Sequence, residues 1–157
     1  MDSVTSKDGT TITFDRLGAG PAVVLVCGAS VDRMSNAGVA ALLAPDFTVF
    51  NYDRRGRGAS GDTPPYAVER EVEDIDAVVT AAGGSDCLYG TSSGAVLAME
   101  AAAGELPITK LAMWEPPYFL DPNLRPPLDT VEQYNRMIAE GRRGDAVEYF
   151  MSKVVGM

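Results

Sequence analysis

Ala22-Val23-Val24-Leu25-Val26-Cys27 is an unbroken apolar run set between Gly18-Ala19-Gly20-Pro21 and Gly28-Ala29-Ser30. A run of that length bounded by turn residues reads as a strand buried on both faces. Phe47 to Tyr52 reads as the next strand, and Met34 to Leu43, between the two, carries helical spacing that stops at Ala44-Pro45-Asp46. Upstream, Ser3 to Ser6 and Thr10 to Asp15 flank Lys7-Asp8-Gly9, and Asp-Gly between alternating segments predicts a β-hairpin. Val68 to Ala82 is an acidic amphipathic helix, with Val68, Val72, Ile75, Val78 and Val79 on one side and Glu69, Glu71, Glu73, Asp74 and Asp76 elsewhere. A short strand from Cys87 to Tyr89, an Ala-rich helix to about Gly104 and a strand from Lys110 to Trp114 follow. Strand and helix alternate, which predicts an α/β fold: a doubly wound, mostly parallel sheet with helices on both faces. At Glu115 the pattern changes, so the core spans 1–115. Residues 116–127 are a proline-rich connector expected to be extended, and Thr130 to Glu140 and Asp145 to Val155 are expected helices with no strand between them.

Within this order the stretch 86–99 carries the chemistry. Gly90-Thr91-Ser92-Ser93-Gly94 lies between the strand at Cys87 and the Ala-rich helix. Gly-x-Ser-x-Gly in a strand-turn-helix context is a nucleophile elbow, in which a sharp turn strains the central residue and aims its side chain out of the sheet. Ser92 is therefore the candidate nucleophile. The backbone N–H of Ser93, at the helix N-terminus, is a candidate oxyanion donor. A Cβ at Gly90 or Gly94 should collide as the helix folds back on the strand.

Composition narrows the partners. With 157 residues, 46% of them hydrophobic, the chain can build one real core. A net charge of −9 argues against nucleic acid and anionic membranes. Arg54, Arg55 and Arg57 crowd one Gly-rich turn, which reads as an acid-paired or solvated loop; the turn lacks the Gly-Lys-Ser/Thr of a phosphate cradle and does not open a helix. No apolar run approaches the roughly 20 residues of a bilayer span, and the N-terminus lacks a signal-peptide apolar region, so a cytoplasmic location is expected. Cys27 and Cys87 fall about four residues apart along neighbouring strands, beyond disulfide reach, and are expected reduced. There is no histidine anywhere. That removes most transition-metal sites, so neither metal nor cofactor is expected.

With these residues in view the chain resembles the α/β-hydrolase superfamily. Val24 to Gly28 stands where that family's oxyanion-loop strand ends, Asp53-Arg54-Arg55-Gly56-Arg57-Gly58-Ala59-Ser60 is similar to its Asp-x-Arg-Gly-x-Gly-x-Ser turn, and Leu111 to Pro117 resembles the strand before its cap. The resemblance implies a second oxyanion donor at the N–H of Gly28 or Ala29. It implies that 116–157 begins a helical cap or lid lying over the C-terminal edge of the sheet near Ser92. It also implies two further strands whose loops carry a catalytic acid and a histidine, in a C-terminal segment or a second chain.

Two functions follow as expectations. One is a serine hydrolase acting on an ester, lactone or similar acyl substrate, nearly inert as these 157 residues alone because an unassisted serine hydroxyl is a poor nucleophile. The other is a noncatalytic ligand-binding protein of the same fold. The sheet favours the first, since a strand at Lys110 to Trp114 left at the edge exposes unpaired backbone groups that a further segment would cover. Glu115, at a strand's C-terminal end, reads either as an acid or substrate contact, or as a carboxylate bonded to local backbone before Pro116. Asp53 reads as an ion-pair partner of its arginine neighbours, and Met99, Met113 and Met137 as packing.

Overall fold

The computed structural model describes residues 1–84, 87–104 and 106–156; Asp86, the first residue of the elbow stretch, lies outside them. The chain forms two compact units, residues 1–117 and 118–157.

The first unit is built on a six-stranded sheet. β1 (Asp2–Thr5) and β2 (Thr11–Leu17) form the expected antiparallel hairpin, and β2 pairs antiparallel with β4 (Thr48–Tyr52). β4, β3 (Ala22–Val26), β5 (Cys87–Thr91) and β6 (Lys110–Trp114) then run parallel, giving the order β1-β2-β4-β3-β5-β6. β5 runs two residues beyond the expected end, because Gly90 and Thr91 pair with Met113 and Trp114 of β6.

Alternation along β3 sorts the core. Val24 and Val26 face α2 (Val68–Ala81) and α3 (Ser93–Ala103), packing with Ile75, Val78, Val79, Leu97, Ala98 and Ala101. Val23 and Leu25 face the other way, toward Ala40, Val39 and Leu43 of α1 (Ala37–Leu43). The sheet is thus covered on both faces, as a doubly wound sheet requires. α1 starts later than its apolar spacing suggests, because Asp32 caps a single 3-10 turn at Arg33–Asn36 that precedes it.

The acidic helix departs from its sequence reading. Glu71 and Asp74 are buried, not solvated. Each meets an arginine of the turn after β4: Glu71 is bonded by Arg54 at 2.8 and 2.5 Å, and Asp74 by Arg55 at 2.7 and 2.8 Å. The Asp53 carboxylate is paired with Arg33, from the segment before α1, and not with its sequence neighbours. Residues 118–157 comprise a 3-10 turn at Pro122–Leu124 capped by Asp121, α4 (Thr130–Ala139), α5 (Arg143–Tyr149) and a π-helical continuation at Phe150–Val155. No helix among the described residues is long and apolar enough to cross a membrane.

The hairpin turn offers a pH test. Asp8 accepts hydrogen bonds from Arg55 at 2.9 Å and from the Thr10 N–H at 3.0 Å, and these, the arginine first, hold its carboxyl well below the usual carboxylate range. A folded-state pKa below the unfolded value gives stability that is fully present above about pH 4 and is lost as pH falls toward the folded value. Asp8→Asn should therefore melt below wild type at pH 7, with the gap narrowing steadily below about pH 4. A gap constant from pH 7 to pH 2.5 would show that Asp8 contributes no ionisation-dependent stability.

Candidate active site

The elbow is built from close approach. A Cβ on Gly94 would lie 2.4 Å from the carbonyl oxygens of both Val26 and Cys27, and one on Gly90 would lie 2.5 Å from the Ala95 Cα. These are distances that only a missing side chain permits. Helix α3 therefore starts directly against the end of β3, and the turn must be made in one residue. Ser92 makes it with φ 53° and ψ −123°, a conformation costing on the order of 1–3 kcal/mol and held here by its surroundings. Its N–H donates to the Trp114 carbonyl at 2.8 Å, and its carbonyl accepts from the Ala95 N–H at 2.9 Å.

Strain gathers at this edge. The non-glycine residues with positive φ among those described are Ser30, Ser92 and Glu115, and they follow β3, β5 and β6, three neighbouring strands, at their C-terminal ends. This is the edge where open α/β sheets bind ligands. Gly28 lies beside Ser92: a Cβ there would sit 3.4 Å from the Ser92 Cβ and 4.0 Å from its Oγ. The loop Gly28-Ala29 and the N-terminus of α3 thus converge on Ser92. The Ser93 N–H, in the first turn of α3, has no intrahelical acceptor and is available as a donor.

Bases are scarce. Among the described residues no side chain hydrogen-bonds the Ser92 hydroxyl, and the chain has no histidine. Burial pushes the Cys27 thiol above its ordinary pKa, outweighing the nearby Arg54 and Arg57, so it stays protonated at neutral pH and cannot serve as a base. No disulfide joins Cys27 to Cys87. Glu115 is exposed, with φ 47°, and among the described residues its carboxylate accepts no hydrogen bond, so the backbone-bonding reading has no bond behind it. No cluster of three or more metal-ligating side chains occurs among the described residues.

What sequence reasoning missed is the support behind the Gly28-Ala29 loop. Arg54 donates through Nη1 to the carbonyls of Cys27 and Gly28, both at 3.3 Å, and to the Ser93 hydroxyl at 3.1 Å, while Arg57 donates to the Gly28 carbonyl at 2.5 Å. The crowding of arginines after β4 was the available signal; their targets, more than 25 residues away in sequence, were not legible.

A family model described as the alpha/beta hydrolase family matches residues 23–154. Among solved structures, an alpha/beta hydrolase from Sphaerobacter thermophilus DSM 20745 is 56% identical, with a TM-score of 0.95 over 99% of this chain and 61% of its own. The bottromycin epimerase BotH, solved in complex with bottromycin A2, is 31% identical, with a TM-score of 0.69 over 88% of this chain and 55% of its own. A thermophilic esterase from Thermogutta terrifontis is 25% identical, with a TM-score of 0.74 over 90% and 53%. The chain thus spans little more than half the length of these structures. No curated protein matches it.

Proposed function

The chain belongs to the alpha/beta hydrolase family, and from that membership we propose that it is the nucleophile-bearing part of a serine hydrolase acting on an ester, lactone or similar acyl substrate. The observation that carries the reading is Ser92 itself: a serine strained to φ 53°, at the tip of a strand-turn-helix, with the Gly28-Ala29 loop and the Ser93 N–H beside it. Ser92 Oγ would attack the acyl carbonyl, and the N–H groups of Ser93 and of Gly28 or Ala29 would hold the oxyanion. The acid and the histidine base would come from the family length that this chain does not span, or from a second chain. Residues 116–157 would begin the helical cap, and Glu115 would contact substrate or serve as the acid.

The test is made on the protein of full family length. A fluorophosphonate should label Ser92, and Ser92→Ala should abolish labelling and lower kcat on p-nitrophenyl esters by about 10⁶-fold. Unchanged hydrolysis in Ser92→Ala would remove the assignment. A second reading is a noncatalytic ligand-binding family member; the 31% identity to a protein solved with a bound ligand and named as an epimerase shows that relatives need not be hydrolases. It predicts ligand binding with no labelling of Ser92 at full length.

A further inference from the structure

Arg54 is buried, and its guanidinium has two jobs on two edges. One edge, Nε and Nη2, is spent on Glu71 of α2. The other, Nη1, reaches the carbonyls of Cys27 and Gly28 and the Ser93 hydroxyl. Burial, the largest single influence, lowers the pKa of such a group, but the bonds donated to Glu71 and the attraction of its charge together outweigh it, and the guanidinium lies above its ordinary value. Arg54 is therefore a fixed cation anchored on a helix. Arg57 adds a bond to the Gly28 carbonyl and forms no ion pair with any described residue, so that bond is not a by-product of neutralising an acid.

In a trans peptide the C=O and N–H point in opposite directions. The Cys27 carbonyl shares its peptide with the Gly28 N–H, and the Gly28 carbonyl shares its own with the Ala29 N–H. Cations on the carbonyl side thus turn both N–H groups away from the arginines. The same bonds polarise the two amides and strengthen each N–H as a donor. Through Ser93, Arg54 also touches the residue that carries the remaining donor.

We propose that Arg54, assisted by Arg57, is the positioning element of the oxyanion hole: bonded to the Cys27 and Gly28 carbonyls and the Ser93 hydroxyl, it fixes the donor N–H groups toward Ser92 before substrate arrives. This rests on the hydrolase reading above. The arrangement would supply preorganised donors that cost no reorientation during the reaction, which is where oxyanion holes gain most of their effect.

The experiment uses the full-length protein as wild type, Arg57→Met and Arg54→Lys, the last retaining a cation for Glu71 while losing the second edge. Each is measured for kcat and KM on a p-nitrophenyl ester, for Ki of a trifluoromethyl ketone that forms a tetrahedral oxyanion on serine, and for Tm. We expect kcat to fall about 10-fold in Arg57→Met and up to about 10²-fold in Arg54→Lys, toward the effect of losing one oxyanion donor. KM should stay within about threefold, and log Ki should track log kcat/KM, as it does when transition-state binding is what is lost. Wild-type kcat in both variants, or a lowered kcat with undiminished ketone affinity, overturns the proposal while leaving Ser92 as nucleophile. Should Arg54→Lys fail to fold, Arg57→Met, at a half-buried residue without an acid partner, decides alone. A wild type whose Ser92 takes no fluorophosphonate overturns the hydrolase reading, and this proposal with it.

Discussion

A fluorophosphonate added to the 157-residue chain alone should leave Ser92 unlabelled over hours, while addition of the remaining family length, in cis or as a second polypeptide, should bring labelling within minutes. The expected gap is of the order of 10⁶ in rate, the cost of removing the base from a serine nucleophile. Its physical cause is a missing proton acceptor. The chain contains no imidazole, and Cys27, next to the Gly28-Ala29 loop, is held protonated by burial. Lys7 is turned to Glu73 at 3.5 Å on the hairpin. Lys110 pairs in register with Cys87, at the opposite end of β5 from Ser92, about 16 Å away along the strands.

On the proposed reading the oxyanion donors at Ser93 and the Gly28-Ala29 loop need no base, so a residual rate of about 10³-fold over water is compatible with this expectation. β6 is the last strand of the described sheet beside β5, and Met113 and Trp114 on it are 44% and 59% exposed. A strand supplied by the remaining length would cover β6. Rapid labelling of Ser92 in material whose intact mass shows only these 157 residues would require a histidine-free mechanism.

What could be read from the sequence was what is encoded locally. The elbow is legible because its glycines are demanded by contacts at the turn itself, Gly94 against β3 and Gly90 against α3. The strands are legible because burial on both faces leaves continuous apolar runs such as Ala22 to Val26. The polar pairings were not legible. Glu71 and Asp74 carry the same local signature as the exposed Glu69 and Asp76 of the same helix, and only the packing of α2 against the turn after β4 separates the two kinds. Asp53 finds Arg33, 20 residues back, in preference to the arginines adjoining it, because its own neighbours reach past it to α2. Helical periodicity reports which face is apolar; it cannot report which carboxylate on that face has a guanidinium waiting.

That distinction sets the largest stability effect expected of this fold. Asp74 is fully buried and takes Arg55 Nε and Nη2 at 2.7 and 2.8 Å, while Arg55 Nη1 reaches Asp8 at 2.9 Å. The bonds it donates to Asp74, the largest influence, outweigh burial and raise the Arg55 guanidinium above its ordinary pKa. Asp74→Ala removes the acceptor and leaves that guanidinium charged in the interior, with Asp8 and the Arg70 carbonyl as its remaining partners. Breaking a buried pair from one side costs about 3–5 kcal/mol, because the surviving charge is desolvated without compensation. In a domain of this size that lowers Tm by roughly 10–20 °C. Replacing both partners, Arg55→Met with Asp74→Leu, removes the charge as well as its acceptor. The double variant should recover to within about 2 kcal/mol of wild type, since apolar packing can substitute for a buried ion pair. Urea unfolding of wild type, Arg55→Met, Asp74→Leu and the double variant gives the coupling energy directly, provided the m-values agree. Additive single costs, with the double variant as unstable as their sum, would mean that the Arg55–Asp74 pair is not what joins α2 to the turn after β4, and that Asp8 and backbone contacts carry that junction instead.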